Sequence, residues 1–306
     1  MSDAVIKEEK RTFGHVSRRV KSKSDRVIDI VVVFITSFIV ILCLLPMLNV
    51  AATSLSGELA IINRSVFFWP VDLDFTAYTM VFGDPAMRQA MLYTVTLTVT
   101  YTIYAMLMTI LAAYPLSQPN FVGRKLFMII IIITMYFDPG IIPVYINIRN
   151  LGLLDNFWAL VLPGSISVFN MIILKSFFQS IPDSLRESAE IDGASHLRIL
   201  TQIYLPLSKP ALATLTLFYA VGRWNGFQDV RFFIHTPDLY TIQFRIFQII
   251  NNLMSPEMAM EGVAVRVATQ SVQAASIMFG TIPILLIYPW LQRYFIAGVT
   301  LGAIKE

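Results

Sequence analysis

Runs of about twenty apolar residues recur along this chain and constrain its fold more than any other feature of the sequence. Because the interior of a bilayer offers no water to the backbone, each run is predicted to be a helix. Unbroken runs such as MIIIIITM (128–135) do not alternate as the strands of a transmembrane barrel would. The six predicted spans are 27–50, 90–114, 126–145, 157–178, 205–224 and 272–295. The sequence therefore predicts an all-α, polytopic membrane protein with six transmembrane helices.

The composition agrees with a membrane protein and argues against several other classes. Hydrophobic residues make up 56% of the 306 residues, and charged residues only 14%, against about a quarter in soluble domains. The single cysteine, Cys43, lies in the first apolar run, so no internal disulfide is expected. The three histidines share no metal-ligand spacing. The net charge of +3 is explained by basic residues that orient loops, and no nucleic-acid partner is expected.

Lysine and arginine placement predicts the orientation in the membrane. The tail 1–26 holds eight basic residues, whereas the loop 51–89 holds two. The charged tail and the long first apolar run favour an uncleaved first span over a secretory signal. We therefore predict a cytoplasmic basic tail (1–26) and a transmembrane domain (27–306) whose six spans return the C-terminus to the cytoplasm. Within that domain we expect a cytoplasmic loop at about 181–206 and an external loop at about 225–271.

The polar stretch at about 181–206 is unusual between two apolar runs. Pro182 and Asp183 favour the start of a helix. Gly193 costs a helix interior about 1 kcal/mol relative to alanine, so it should mark a turn or a close backbone approach. Pro206 and Pro210 are expected to break the apolar helix that follows. By itself the stretch fits either an amphipathic loop on the membrane surface or a docking element.

A specific spacing resembles a known family. Glu187-Ser188-Ala189, three residues, Gly193, nine residues and then Ile203-x-Leu205-Pro206 is similar to the EAA loop of ABC importer permeases, with Ser188 where alanine is usual. We call residues 181–206 the EAA segment. Further stretches resemble the carbohydrate-uptake branch, in particular oligosaccharide permeases related to the smaller maltose permease subunit. They are IDGA (191–194), LPLSKP (205–210), AYPLS (113–117), GIIPVYINIRNLGLLDNFWALVLP (140–163), FNMIILKSFF (169–178) and GVTLGAIK (298–305).

The resemblance implies a type I ABC importer permease fold and a bacterial plasma-membrane location. In that family the EAA segment forms a coupling helix that docks on a cytoplasmic ATPase. The residues it assigns to coupling here are Glu187, Ser188, Ala189, Asp192, Gly193, Ala194, Ile203, Leu205 and Pro206. Small residues beside the glycine would leave room for the partner, and Glu187 and Glu190 would meet basic groups. The implied partners are a second, non-identical permease, two ATPase subunits, an extracytoplasmic solute-binding protein and the lipid bilayer.

The chain carries no G-x-x-x-x-G-K-[ST] motif and no nucleophile–base arrangement. The resemblance therefore implies that ATP and Mg²⁺ bind the partner ATPase. We expect no cofactor, catalytic residue or metal site on this chain, and no enzymatic activity of its own.

Four polar or aromatic residues in the predicted spans could line a translocation path or gate. Asp138 precedes Pro139-Gly140 inside the third span, where a carboxylate is expensive and broken helices are used at substrate paths. A wetted helix end is the alternative. The others are Asn170, Tyr93 and Tyr104, for which packing between helices is an equally good interpretation.

Trp224-Asn225, at the end of the fifth span, has two interpretations. The pair could open the external loop that faces a solute receptor, or Trp224 could be an interfacial anchor. Two other kinds of protein also fit the apolar runs. An ion-coupled secondary transporter would rely on intramembrane charges, for which Asp29 and Asp138 are the candidates. A membrane-anchored receptor or structural subunit would have no use for the EAA segment.

Overall fold

The computed structural model describes residues 23–253, 270–287 and 289. The described residues are mostly helical, with one isolated antiparallel bridge between Ser56 and Leu73. The helices are α1 (Lys23–Ser54), α2 (Glu58–Ile62), α3 (Thr76–Gly83), α4 (Pro85–Ser117), α5 (Arg124–Tyr136), α6 (Ile141–Asn150), α7 (Val168–Gln179), α8 (Asp183–Ile191), α9 (His196–Ile199), α10 (Leu205–Leu207), α11 (Lys209–Asn225), α12 (Gln228–Phe233), α13 (Ile242–Leu253) and α14 (Gln270–Ile287). Two 3₁₀ turns (Phe157–Leu160 and Pro237–Leu239) and a π turn (Leu200–Tyr204) complete them.

The chain divides into two compact units after Asn49. The described residues of the first unit form most of α1. The apolar side chains of this helix are exposed on nearly all sides. A helix that is apolar all round is typical of a membrane span. The stretch Arg26–Ser54 is long enough to cross a bilayer core of about 30 Å.

The second unit is built around α4. Asp84 caps this helix by accepting a hydrogen bond from the Ala86 amide at 2.9 Å, and Pro85 occupies the first turn, where its missing N–H costs nothing. α4 packs along α7 and α11. Ala105 and Thr109 are fully buried, and small residues of this kind let helix backbones approach closely.

The number of spans differs from the prediction among the described residues. By length and composition, Arg26–Ser54, Pro85–Ser117 and Gln270–Ile287 could each cross a membrane, and the pair α5–α6 would make a fourth. The α7 helix has 12 residues and is therefore about 18 Å long, too short for a bilayer core. The prediction of one helix over 157–178 is wrong, because a 3₁₀ turn and a loop precede α7. Six spans stay a prediction.

The predicted third span (126–145) is also not one helix. It breaks after Tyr136 and resumes at Ile141, with 115° between α5 and α6. Pro139 cannot donate a helical hydrogen bond, and Gly140 adopts φ +78°, which an L side chain rarely tolerates. The break expected near Asp138 is therefore present, but as a full change of direction.

The predicted external loop (225–271) is a packed helical region as far as it is described. It contains α12, a 3₁₀ turn and α13, and Val230, Ile234 and Ile242 are buried. Residues 254–269 lie outside the described residues, as do most of the basic tail and the terminal motif at 298–305.

Candidate functional site

The EAA segment begins with α8 and turns sharply at Gly193. The amide of Gly193 donates to the Glu190 carbonyl at 3.0 Å, and that of Ala194 donates to the Ala189 carbonyl at 2.9 Å. These two bonds form a Schellman motif, with Gly193 at φ +78° in the left-handed position. The turn predicted from the glycine is confirmed. A Cβ added at Gly193 would meet nothing within 4 Å in this chain.

After the turn the segment stays helical through Pro206. Ser195 caps α9, and the π turn Leu200–Tyr204 leads directly into α10. The helix passes through Pro206 and ends at Leu207, so the predicted break lies between the two prolines, and Pro210 lies in the first turn of α11. Single π turns accommodate local irregularities in a helix, and this one precedes a proline that cannot donate.

One face of the EAA segment packs on its own chain. Ala189 and Ala194, together with Ile203 and Leu205, pack against a core that includes Phe178. We predicted that the small residues leave room for a partner. Instead, Ala189 and Ala194 let α8 and its turn approach the core of this chain, since bulkier side chains would hold the segment away.

The opposite face of the EAA segment is exposed. Glu187, Ser188 and Asp192 are exposed, and so are two large apolar side chains, Ile191 at 86% and Leu197 at 69%. Polar side chains around an apolar pair are typical of a surface that another protein covers.

Arg186 is buried on α8 although it is a cation. Its Nη1 donates to Oε1 of Glu190 at 2.7 Å, and carboxylate oxygens of Glu187 and Asp183 lie at 3.6 and 3.8 Å. The hydrogen bond to Glu190 raises the pKa of the Arg186 guanidinium above its already high ordinary value. Glu190 is therefore engaged within the chain, and its contact with a basic group of a partner stays a prediction.

An aromatic cluster of Tyr114, Phe178 and Tyr204 connects the EAA segment to α4 and α7. The Tyr204 ring lies edge-on to Tyr114 with centroids 5.2 Å apart, and edge-on to Phe178 at 5.5 Å. The three residues come from the end of α4, the end of α7 and the π turn. All three are buried, so the EAA segment is in direct aromatic contact with the ends of α4 and α7.

A second buried cation, Arg223, lies near the end of α11. It makes a bidentate pair with Asp229 on α12, and its Nη groups also donate to the carbonyl oxygens of Leu160 at 3.2 Å and Gly226 at 3.3 Å. A Cβ on Gly226 would lie 2.8 Å from Arg223 Nη2. A side chain at position 226 would therefore have to displace the guanidinium from this position.

The Arg223–Asp229 pair lies in the wall of a cavity of about 550 Å³. Tyr101 contributes from the middle of α4, and its hydroxyl donates to the Gly164 carbonyl at 2.9 Å. The Arg223 guanidinium carbon lies 5.8 Å from the centroid of the Tyr101 ring. The α6 helix lines another side through Ile141 and Val144, so the broken α5–α6 pair contributes to the same wall.

Trp224 and Asn225 have different environments. Trp224 is 7% exposed, and its Nε1 donates to the Gly280 carbonyl on α14 at 3.1 Å. The Trp224 side chain therefore joins α11 to α14, and whether the pair opens a receptor-facing region or anchors at the membrane interface stays open. Asn225 is exposed and lines the cavity beside Arg223.

The four candidates for a path or gate lie in different environments, except that Tyr93 and Tyr104 pack on one core cluster. Asp138 is exposed, and its Oδ1 accepts from the Gly140 amide at 2.9 Å, stabilising the break before α6. Asn170 is buried in α7 at 6% exposure, so it lines no open path within this chain. Tyr93 and Tyr104 are half-buried and pack around the core of Leu97. The described residues contain no cluster of three His, Cys, Asp or Glu side chains that could hold a metal.

Comparison with known proteins gives the family. Residues 105–301 match the family model described as "Binding-protein-dependent transport system inner membrane component", which covers more than half of the chain. The chain belongs to this family.

Relatives of this inner membrane component include two from Bacillus subtilis strain 168. The polygalacturonan/rhamnogalacturonan transport system permease protein YtcP is 36% identical, over 92% of this chain and 99% of that protein. Protein LplC is 37% identical, over 93% and 97% of the two chains. A crystal structure of a bacterial ABC transporter involved in the import of the acidic polysaccharide alginate contains a chain with 35% identity and a TM-score of 0.81, covering 90% of this chain and 98% of that one. The predicted type I importer permease fold is confirmed.

Sequence reasoning missed Arg186, Arg223 and Asp229 as site residues. Arg223 falls inside a predicted span, where an ionisable residue is a candidate functional residue by default, and Asp229 follows six positions later. Arg186 and Glu190 are four residues apart in a predicted helix, a spacing that favours an ion pair. These signals indicate the pairs, whereas burial of the cations depends on the helices packed around them.

Proposed function

We propose that this chain is the permease subunit of an ATP-driven, binding-protein-dependent carbohydrate importer. The observation that carries the proposal is the EAA segment: one face is packed on α4 and α7, and the other presents exposed Ile191 and Leu197. Family membership and the likeness to named sugar permeases support the same function. An oligosaccharide is the substrate class that these relatives favour, since their names include galactooligosaccharide and polygalacturonan systems.

The EAA segment transmits movement between an ATPase and the membrane helices. Docking covers the exposed face, and ATP and Mg²⁺ bind the ATPase. Closure of the ATPase pair displaces α8, and the Tyr114–Phe178–Tyr204 cluster passes the displacement to α4 and α7. For this to work, the ATPase pair with ATP bound must bind two conformations of the permease with different free energies.

The remaining features of the proposal concern topology and partners. The termini and the EAA segment are cytoplasmic, and six helices cross the bacterial plasma membrane. A second, non-identical permease completes the path, and the region 225–271 faces a loaded solute receptor outside. The packed helices α12 and α13 make that surface a rigid one, and Asn225 lies at its edge.

Topology is tested by thiol labelling. Ser188→Cys is introduced into a Cys43→Ser background, since Cys43 is a free thiol. An impermeant thiol reagent should not react with Ser188→Cys in sealed cells and should react after the membrane is opened. Reaction from outside would exclude the proposed orientation.

Coupling is tested at Ile191. Ile191→Asp places a charge on the exposed apolar face, and Leu59→Asp is the matched control, since Leu59 is 72% exposed on the short helix α2. Ile191→Asp should insert normally, lose the co-purified ATPase and lose uptake, whereas Leu59→Asp should retain both. Uptake without any associated ATPase would instead favour an ion-coupled transporter.

A further inference from the structure

The cavity beside Arg223 has the composition of a ligand site. Its volume of about 550 Å³ lies in the range of small-molecule sites. Asn225 and Gln228 belong to the region proposed to face the receptor, and Tyr101 is at the middle of the 33-residue helix α4, so the cavity would extend from that region toward the bilayer midplane. Broken helices such as α5–α6 line cavities at that depth.

The polar groups of the cavity fall into two kinds. The two Nη groups of Arg223 are saturated, because each binds both a carboxylate oxygen of Asp229 and a backbone carbonyl. Arg223 Nε is buried, and it has no hydrogen-bond partner among the described residues. The amides of Asn225 and Gln228 are exposed and line the same cavity. They offer donors and acceptors that a ligand can use.

The charges of the cavity cancel. Arg223 and Asp229 are its only charged lining residues in the part of the chain that the structure describes. An anionic ligand would find its cation already bound by Asp229, and burying an unpaired carboxylate is costly. Aromatic side chains (Tyr101, Phe227 and Phe233) surround the amides. Amides with aromatic surface and no net charge suit the hydroxyls and apolar faces of a neutral sugar ring.

We propose that this cavity is a saccharide subsite that takes one uncharged sugar ring, with its hydroxyls bound by Asn225 and Gln228. The proposal rests on the proposed function, because it assumes that the transported molecule is a carbohydrate. This subunit would then contact the substrate directly, and the contact would favour uncharged over acidic sugar rings.

The test measures direct binding to the assembled transporter in nanodiscs, trapped with ATP and vanadate. The probes are tritiated galactotriose and tritiated trigalacturonate, which differ in the carboxylates at C6. Galactotriose should bind more tightly, and Asn225→Ala and Gln228→Ala should each weaken its binding about five- to tenfold, as expected for loss of one hydrogen bond. Asn147→Ala is the matched control, an exposed amide on α6 that does not line the cavity, and should change nothing.

A variant that alters the charge of the cavity should increase binding of the acidic probe. Asp229→Asn leaves Arg223 uncompensated but keeps an oxygen acceptor, so binding of trigalacturonate should increase relative to galactotriose. Unchanged galactotriose binding in both amide variants, or an equal loss in Asn147→Ala, would overturn the subsite. Tighter binding of trigalacturonate by the unaltered protein would overturn the charge preference.

ATP hydrolysis stimulated by loaded receptor is measured on the same samples. Its absence in the unaltered protein would contradict the proposed function. Its presence with no probe bound would overturn the subsite alone.

Discussion

Arg186 and Glu190 are joined by a 2.7 Å hydrogen bond across one turn of α8, and the arginine side chain is only 8% exposed. The cation is therefore shielded from water, with Glu190, at 38% side-chain exposure, at the boundary to solvent. An arginine is charged over the whole physiological range in any case, and the hydrogen bond to Glu190 raises its pKa further. The pair lies within α8 and stabilises that helix, since both residues are on the same helical face.

Arg186→Ala should destabilise the segment by about 1–3 kcal/mol, because it removes the hydrogen bond and the cation shared by three carboxylates. The partly exposed Glu190 regains water, which keeps the cost below that of a fully buried pair. Thermal unfolding of Arg186→Ala, Glu190→Ala and the double variant measures the interaction, and a coupling free energy of about 1 kcal/mol is expected. Strict additivity of the two substitutions would contradict the role of the pair.

Gly193→Asp should insert normally and abolish uptake, since it places a charge at the turn of the EAA segment. The structure supplies a sharper control, because Gly193 has φ +78° and open space around it. Asn and Asp tolerate this conformation better than other L residues. Gly193→Asn should therefore retain more uptake than the isosteric Gly193→Asp.

A third substitution at Gly193 distinguishes backbone strain in the turn from impaired docking of the ATPase. Gly193→Val should lower the stability of the turn by about 1–2 kcal/mol, because its β-branched side chain disfavours the left-handed conformation. Membrane abundance, co-purified ATPase and uptake are measured for all three variants. Equal uptake in the Asp and Asn variants would show that charge at this turn does not disturb docking.

Arg223→Ala should destabilise the fold by about 3 kcal/mol or more, because Asp229 loses its only ion-pair partner in the described structure and two backbone carbonyls lose their donors. The double variant Arg223→Ala/Asp229→Ala should be less unstable than Arg223→Ala. Thermal unfolding in detergent compares the two. Greater instability of the double variant would show that the carboxylate is stabilised independently of Arg223.

The Asp155 carboxylate gives a pH prediction outside the membrane helices. It accepts hydrogen bonds from the Thr236 hydroxyl at 2.6 Å and from the amides of Thr236 and His235 at 2.8 and 2.9 Å. These bonds, the hydroxyl first, hold the pKa of Asp155 below its ordinary value of 3.8. The stabilisation is therefore complete above pH 3.8 and is lost as the pH falls further, through the lowered pKa.

Amide hydrogen exchange at His235 and Thr236 checks this prediction. After correction for intrinsic rates, protection should be constant above about pH 4 and should fall at lower pH. Asp155→Asn should show weaker protection without this transition, because the amide does not titrate. A transition of equal size in Asp155→Asn would assign the pH dependence to another group.

The sequence by itself determined the family and the position of its principal motif. Apolar run length predicted α1 and α4 as long membrane helices, because the bilayer sets a fixed length and requires internal backbone hydrogen bonding. Gly193 predicted a turn, because local backbone geometry depends on few neighbours. The Glu187-to-Pro206 spacing identified the family, and its match to the inner membrane component is confirmed.

Tertiary structure decided which faces are buried and which charges meet. Ala189 and Ala194 face the core of the chain, and Trp224 bonds to Gly280, 56 residues later. Hydropathy alone cannot distinguish a side chain facing lipid from one facing another helix, because both environments are apolar. Arg223 is tolerated in an apolar helix because α12 brings Asp229 to it and Gly226 leaves room for the guanidinium. These contacts depend on how separate helices pack, and packing is set by the whole fold.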